Sequence, residues 1–261
     1  MPGTPDPHET ESPSTQSVRE SHNSGFQACI DAIPGVGDIL SKCSEIGWKA
    51  VEEECCQYLL ERLAGSPEEA ERKFQIASAV DGREQFHAGN EHYIFLPSDD
   101  DQSRVVKWTY GNNFGLKLNV YKHDPAGMNQ NVIPTGNMDP VYYLKRWIIL
   151  NTISSPITGF EGLLPPDFRS GERLPRLSIS QDMLPPENPT YQEIVRAFRR
   201  IGFVNIAENS YYRIEDNVLL GDATPWNVRI VNTRIIPFDA VAENPSGEAS
   251  DWCRQEAESR S

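Results

Sequence analysis

The chain has 261 residues, 38% of them hydrophobic and 24% charged, which is enough to bury one sizeable core or a core with a helical appendage. Its formal net charge of -14 and pI near 4.8 disfavour broad binding to nucleic acids or anionic membranes, and no stretch approaches the length of a membrane span. Five cysteines without a C-x-x-C pair favour reduced thiols in a cytoplasm over a disulfide framework or a metal site.

The N-terminal third divides into a polar tail and a helical segment. Residues 1–25 are rich in Pro, Ser, Thr and Glu and nearly free of large apolar side chains, which predicts a disordered tail. In residues 26–81 the apolar pattern is helical, and the residues that recur at this spacing are Trp48, Val51, Cys55, Leu59 and Leu63. Ser66 supplies an N-cap for a second helix through Ala79. We expect this segment to be a helical extension without chemistry of its own.

The sequence periodicity becomes extended at Gly82. Residues 91–96 and 104–109 are predicted to form two strands, joined by a turn that contains three consecutive aspartates. Lys107 lies inside the second strand, where a lysine needs a counter-charge that nucleotide phosphates can supply. The alternative is an edge-strand lysine that protects the sheet from aggregation.

The middle of the chain alternates between loops and short regular elements. Residues 110–138 are rich in Gly and Asn and are interpreted as a loop, and residues 139–151 are predicted to form a helix that opens with Asp-Pro. Two short strands are expected at 160–164 and 176–181. The second strand is followed by a stiff connector, Asp182-Met183-Leu184-Pro185-Pro186, which cannot continue a central strand.

Helix signals return after this connector. A capping box that begins at Thr190 predicts a helix through Arg200, and Gly202 is the expected C-terminal stop. Residues 246–261 are polar again, and we expect them to form a frayed tail from which Trp252 could dock.

A polar loop near the C-terminus has the strongest chemical signal. It extends from Asp222 to Asn227 between two apolar runs, and a returning strand at 234–238 leads to Asp239. Two carboxylates and a carboxamide together suit a hard cation such as Mg²⁺, with one carboxylate left to orient a hydroxyl. The D-x-x-x-x-N spacing followed by a strand-borne Asp is typical of kinase-like phosphotransferases. The alternative is that these side chains only cap a hairpin and a turn.

In chain order, these features resemble the protein-kinase-like fold, especially the compact kinase-like domain of polyvalent proteins from phages and other mobile elements. The matching segments are Gly89-Asn90-Glu91-His92, Val106-Lys107-Trp108-Thr109, Tyr143-Leu144-Lys145-Arg146, Asn151, Ser180-Gln181, Ile201-Gly202-Phe203, Asp222-Ala223-Thr224-Pro225-Trp226-Asn227 and Ile236-Pro237-Phe238-Asp239. The resemblance implies a two-lobed α+β fold over residues 82–245, hinged at the connector. A helical extension at 26–81 precedes it, and a polar tail at 246–261 follows.

The resemblance also implies roles for individual residues. Asp222 would orient or deprotonate the acceptor hydroxyl, and Asn227 and Asp239 would bind Mg²⁺. Lys107 would act in catalysis by holding the phosphates of ATP. The residues implied to contact the nucleotide are Lys107, Gly89, Ser180, Gln181 and Asp182.

The chain departs from the ordinary kinase pattern in several places. It has no H-R-D before the loop, no D-F-G, no visible activation segment and a poor glycine-rich loop. The predicted helix at 141–151 contains no glutamate to pair with Lys107. Because a cleft lysine needs a partner when nucleotide is absent, we expect Asp239 or Glu91 to supply it.

The function expected from the sequence is ATP- and Mg²⁺-dependent phosphoryl transfer to a hydroxyl of a protein or a small molecule. No nucleic-acid or membrane partner is expected. Two alternatives stay open. The chain could be a nucleotide-binding pseudokinase that acts as an interaction module, or a structural or assembly protein of a mobile element.

Overall fold

A computed structural model describes residues 27, 85–88, 91–95, 104–110, 114–121, 132–136, 140–153, 158–164 and 176–261. These residues form an α+β arrangement of four antiparallel sheets and three helices. The strands are β1 (Gln85–Ala88), β2 (His92–Phe95), β3 (Arg104–Thr109), β4 (Leu116–Val120), β5 (Val132–Gly136), β6 (Gly159–Leu164), β7 (Arg176–Asp182), β8 (Val204–Ala207), β9 (Ser210–Arg213), β10 (Val218–Gly221), β11 (Arg229–Val231), β12 (Arg234–Ile236) and β13 (Val241–Glu243). The helices are α1 (Pro140–Ile153), α2 (Tyr191–Arg200) and α3 (Gly247–Arg260). The predicted tail at 1–25 and all but one residue of the helical extension at 26–81 lie outside the described residues.

The largest sheet has five strands in the order β1-β2-β3-β7-β6. All neighbouring strands are antiparallel, and β3 is the central strand, with Lys107 opposite Ile94 on one side and Ile179 on the other. Lys107 is only 5% exposed. The edge-strand interpretation of Lys107 is therefore wrong, whereas the strands predicted around 91–96, 104–109, 160–164 and 176–181 are confirmed.

A two-stranded hairpin occupies part of the region interpreted as a loop. β4 and β5 pair in antiparallel register, from Leu116 opposite Gly136 to Val120 opposite Val132. The alternation of apolar and polar residues in β4 is a strand pattern, but the Gly- and Asn-rich flanks concealed it. Leu118 and Val132 are buried because the hairpin packs against β10 and β13. The loop interpretation of residues 110–138 is thus wrong for this part.

The connector and α2 follow the predicted pattern. β7 ends at Asp182, and the chain continues without regular structure until Thr190 caps α2. Both halves of the capping box are present, since the Thr190 hydroxyl accepts from the Glu193 amide and the Glu193 carboxylate accepts from the Thr190 amide at 2.8 Å. The helix ends before Gly202, whose φ of 83° favours glycine.

The C-terminal sheet determines how the polar loop is placed. Its order is β13-β10-β9-β8, and β10 pairs with β13 in antiparallel register, with Gly221 opposite Val241. Asp222 directly follows β10, and Asp239 lies two residues before β13. The two aspartates therefore lie at the same end of one strand pair. The hairpin of β11 and β12 lies between them in the sequence.

Helix α1 anchors this sheet from one side. Tyr143, Leu144 and Trp147 are fully buried in the main hydrophobic cluster, together with residues of α2 and the C-terminal sheet. The Tyr142 hydroxyl accepts from the Leu118 amide at 3.2 Å and donates to the carboxylate of Glu243. One helix thereby holds the β4–β5 hairpin and β13 together.

The C-terminal segment is a helix rather than the frayed polar tail expected at 246–261. α3 packs against β8 and β9, and its buried side chains are Trp252, Cys253 and Ala257. These three apolar residues lie on one face of an otherwise polar helix, which makes the helical pattern weak in the sequence. Within the described residues, no helix has the length and apolar character that crossing a membrane requires.

A first prediction concerns the glycine that leads into the polar loop. A Cβ on Gly221 would lie 2.4 Å from Cδ2 and 3.0 Å from Cδ1 of Leu118. Gly221→Ala should therefore destabilise the fold by about 1–3 kcal/mol through overpacking. In a Leu118→Ala background, the same change should cost much less, because the opposing side chain has been shortened. Urea denaturation of the four proteins in this double-mutant cycle measures the coupling. An equal cost in both backgrounds would contradict the close approach.

Candidate functional site

The ammonium group of Lys107 contacts the carboxylate of Asp239. Nζ lies 2.9 Å from Oδ1, although the two residues are 132 positions apart in the sequence. The aromatic rings of Phe238 and Trp147 border the ammonium group at 5.6 and 6.0 Å from Nζ to the ring centroids. The prediction that Asp239 or Glu91 balances Lys107 is confirmed for Asp239.

Glu91 pairs instead with Arg146 of α1. Nη1 of this fully buried arginine donates to both carboxylate oxygens of Glu91, at 2.9 and 3.1 Å. Its remaining nitrogens hold the backbone beside the site, with Nε donating to the carbonyl of Ala240 at 2.9 Å and Nη2 to that of Asp239 at 2.7 Å. Sequence analysis gave Arg146 no role. The only feature of the sequence that indicates one is the presence of a charged residue among the apolar residues of a predicted helix.

The charges of this cluster set the ionisation of its members. Burial alone would raise the pKa of Asp239, but Lys107 and the other cationic groups lower it below its usual value. Burial lowers the pKa of His92 to about 3, despite the nearby Asp239. His92 is therefore neutral at pH 7, and its Nε2 is 2.8 Å from the hydroxyl of Tyr143.

Three potential metal ligands come together here: Glu91, His92 and Asp239 offer atoms within 4.8 Å of one another. Both carboxylates already have cationic partners, since Arg146 binds Glu91 and Lys107 binds Asp239. A metal ion bound by all three would have to compete with these two ion pairs. This triad is therefore a poor metal site.

The ends of the polar loop are joined by the side chain of Asn227. Its Nδ2 donates to Oδ2 of Asp222 at 2.8 Å and to the Asp222 carbonyl at 2.9 Å. The Asp239 amide donates to the carbonyl of Asn227 at 3.2 Å. Asp222 has a φ of 52°, a left-handed conformation that Asp and Asn adopt more readily than most residues. The predicted meeting of Asp222, Asn227 and Asp239 is thus present.

The donor set of Asn227 and Asp239 fits a hard divalent cation. Because Nδ2 of Asn227 is used by Asp222, its Oδ1 is the atom left for a ligand. Asp239 uses Oδ1 for Lys107, and its side chain is 27% exposed. Among the described residues, neither Oδ1 of Asn227 nor Oδ2 of Asp239 accepts a hydrogen bond. A carboxamide and a carboxylate oxygen are ligands that Mg²⁺ accepts.

Asp222 is the carboxylate of this group that is not matched by an ion pair among the described residues. Burial, followed by repulsion from Glu91, raises its pKa to about 6, and Asp239 adds to the repulsion. A carboxylate with this pKa is ionised at pH 7 yet accepts a proton more readily than an ordinary aspartate.

The connector residues expected at the nucleotide are mostly turned into the protein. Nε2 of Gln181 donates to the carbonyl of Phe238 and to Oγ1 of Thr158, both at 2.8 Å. Ser180 is 2% exposed, and its carbonyl accepts from Arg104 at 3.1 Å. The side chains of Ser180 and Gln181 therefore support the fold, whereas the side chain of Asp182 is 51% exposed. Gly89 lies outside the described residues.

Arg229 fastens the connector to the polar loop, a role that sequence analysis missed. Its Nε donates to the carbonyl of Pro185 at 2.9 Å. Its Nη1 donates to the carbonyls of Pro225 and Trp226, at 3.1 and 3.4 Å. The guanidinium also lies 4.9 Å from the ring centroid of Phe238. Arg229 lies in a short strand, and nothing in the sequence around it indicates this role.

A second prediction concerns the buried guanidinium. Arg146→Met should destabilise the protein by about 3–5 kcal/mol, because it leaves Glu91 buried without a partner. Adding Glu91→Gln should recover part of this loss, since the unpaired charge is removed. Arg260→Met is the matched control, because Arg260 forms a helix-surface ion pair with Glu256 and its loss should cost at most about 1 kcal/mol. Chemical denaturation measures the free energy of unfolding of wild type and the three variants. Similar losses for Arg146→Met and Arg260→Met would refute the buried role.

A third prediction follows from the raised pKa of Asp222. A carboxyl whose folded-state pKa exceeds its unfolded value destabilises the fold when ionised. Asp222→Asn should therefore stabilise the protein at pH 7.5, in EDTA, by roughly 1–2 kcal/mol after allowance for partial exposure. The gain should shrink as the pH falls from about 6 towards 4, where wild-type Asp222 is protonated. Melting temperatures across this range test it, and a gain that does not vary with pH would contradict the assignment.

Comparison of the chain with protein-family models, with curated proteins and with solved structures gave no match.

Proposed function

We propose that this protein is a phosphotransferase that moves the terminal phosphoryl group of ATP to a hydroxyl group in a Mg²⁺-dependent reaction. The observation that carries this proposal is the convergence of four side chains, one from the central strand of the five-stranded sheet and three from a segment of 18 residues near the C-terminus. They are Lys107, Asp222, Asn227 and Asp239. A lysine, a candidate base and two oxygen ligands in one place are the parts that phosphoryl transfer needs.

The first step is binding of the nucleotide phosphates. We assign Mg²⁺ to Oδ1 of Asn227 and Oδ2 of Asp239, where it would neutralise the charge of the phosphates. Lys107 supplies a second positive charge from the central strand, and its ion pair with Asp239 holds the ammonium group in place before nucleotide binds. Arg146 fixes the backbone at Asp239, so this carboxylate is positioned independently of the nucleotide.

The second step is attack by the acceptor. Asp222 takes the proton from the acceptor hydroxyl while the hydroxyl oxygen bonds to the terminal phosphorus and the bond to the leaving ADP oxygen breaks. The raised pKa of Asp222 suits this role, and the hydrogen bond from Asn227 keeps its carboxylate beside the cation ligands. The acceptor can be a protein or a small molecule.

We further infer a two-lobed kinase-like arrangement, related to the kinase-like domains of polyvalent proteins of mobile elements. The five-stranded sheet would belong to one lobe, the C-terminal sheet to the other, and the connector after Asp182 would be the hinge. Gly89 would contact the phosphates. Because Ser180 and Gln181 are buried, their contribution to the nucleotide ring would be through the backbone. The cysteine content supports a cytoplasmic location.

Two observations favour a second candidate, a nucleotide-binding pseudokinase. Helix α1 presents Arg146 to the cluster, and Lys107 is paired with the carboxylate that is assigned to the metal. A protein arranged in this way could bind Mg²⁺ and ATP without transferring phosphate. Turnover separates the two candidates.

A fourth prediction separates the roles of the two aspartates. Asp222→Asn should bind Mg²⁺-ATP about as well as wild type and lose about 10²–10⁴-fold in transfer, because a base acts mainly in the transition state. Asp239→Asn should lose Mg²⁺-dependent binding as well as turnover. Asp251→Asn, an exposed aspartate of α3, is the matched charge control and should change neither.

Calorimetry with ATP, with and without Mg²⁺, measures binding, and labelled ATP measures transfer to a panel of hydroxyl compounds and proteins. ATP at a concentration of a hundred times its Kd should stabilise the wild-type protein against unfolding by about 2.7 kcal/mol. Transfer by Asp222→Asn at the wild-type rate would refute its catalytic role. Binding without any transfer would favour the pseudokinase, and the absence of binding would reject both candidates.

A further inference from the structure

The loop that carries Asp222 and Asn227 also carries the most exposed large hydrophobic side chain of the described residues. Trp226 is 73% exposed, compared with 51% for Met183 and 42% for Tyr191. No ring or cation among the described residues contacts its indole. Of the other described tryptophans, Trp147 and Trp252 are at most 9% exposed and Trp108 is partly buried. Trp226 therefore contributes little to the hydrophobic core.

The backbone under this indole is held firmly. The Asn227 amide donates to the carbonyl of Thr224 at 3.0 Å, which closes a turn. Arg229 binds the carbonyls of Pro225 and Trp226 and joins them to the connector at Pro185. An exposed indole on a fixed backbone is a preorganised contact surface, because little conformational entropy of the loop is lost when something binds to it.

Trp226 lies in the same loop as Asp222 and Asn227. Its Cα is one residue from that of Asn227, about 3.8 Å away. The Asn227 side chain is in turn 2.8 Å from Oδ2 of Asp222. A group that stacks on the indole is thus bound to the same short loop that carries the carboxylate assigned to take the acceptor proton.

The charges near this loop limit what can bind there. Arg229 is the cation beside this loop, and its Nε and Nη1 donate to backbone carbonyls. Burial lowers the pKa of this guanidinium, although the nearby Glu187 acts in the opposite direction. The acids at this loop that have no ion pair among the described residues are Asp222 and, beside Arg229, Glu187, within a chain of net charge -14. A negatively charged acceptor would be repelled, whereas a neutral or cationic one would not.

We propose that Trp226 is the acceptor-binding platform, and that the acceptor is a neutral or cationic small molecule whose hydroxyl is attached to, or one carbon from, a ring that stacks on the indole. This inference rests on the proposed phosphotransferase function, because it uses Asp222 as the base. It narrows the acceptor from any hydroxyl compound to ring-bearing alcohols. Stacking of a planar ring on an aromatic side chain changes affinity by about five- to 150-fold.

The test compares three sets of acceptors with wild-type protein and labelled ATP. The sets are benzyl alcohol and pyridoxine, which have a planar ring; glucose and glucosamine, which have a saturated ring; and glycerol with a serine-containing peptide, which have no ring at the hydroxyl. We expect transfer to one of the ring-bearing sets. Trp226→Ala should raise the KM of that acceptor more than tenfold and lower kcat by less. Trp226→Phe should keep most of the affinity, and Trp226→Leu should keep less than Trp226→Phe.

Two controls make the result specific. Tyr191→Ala removes another exposed aromatic, at the start of α2, and should leave the KM of the acceptor unchanged. Acceptor binding should also change the tryptophan fluorescence of wild type but not of Trp226→Phe, and this readout does not require turnover.

An unchanged KM in Trp226→Ala, or preference for the ring-free acceptors, would overturn the inference and leave the phosphotransferase intact. Binding of a ring-bearing acceptor through Trp226 without transfer would support the platform and reject the phosphotransferase. Absence of both binding and transfer for every acceptor would overturn the platform.

Discussion

The buried guanidinium of Arg146 is the constraint on which the site depends. It pairs with Glu91 and also donates to the carbonyls of Asp239 and Ala240, so α1, the residue before β2 and the segment before β13 are joined at one point. With Lys107, it gives the cluster two cations for two carboxylates, and this balance makes the burial of four charges tolerable. His92 stays neutral beside them because burial and both cations disfavour its protonation.

The same balance explains the character of Asp222. Two cations are already matched by two carboxylates, so a third carboxylate nearby has only the amide of Asn227 as its partner among the described residues. The site is therefore short of positive charge by one unit when Asp222 is ionised. A divalent cation at Asn227 and Asp239 would supply that charge, which connects the raised pKa of Asp222 with the oxygen ligands beside it. The oxygen ligands and the carboxylate with the raised pKa thus belong to one electrostatic arrangement.

Sequence analysis predicted the parts of the site that are local in the chain. The spacing of Asp222 and Asn227 is set by a single loop, and Lys107 stands out as a charge inside an apolar strand. Arg146 was missed because its partners are 55 and 94 residues away, and no local pattern indicates which buried charges pair. The structural role of Gln181 was missed for the same reason, because the Phe238 carbonyl to which its side chain donates is 57 residues away. The C-terminal helix was missed because three buried residues on a polar helix give a weak periodic signal.

The short link after Asp239 has a consequence for regulation. A single residue, Ala240, separates this carboxylate from β13, and both backbone carbonyls of the link are bound by Arg146. No segment between Asp239 and β13 is long enough to fold over the site or to carry a modification that rearranges it. The loop that bears Asp222 is likewise fixed by Arg229. Any conformational control that moved the Asp239 carboxylate would therefore have to break the hydrogen bonds that Arg146 donates to this link.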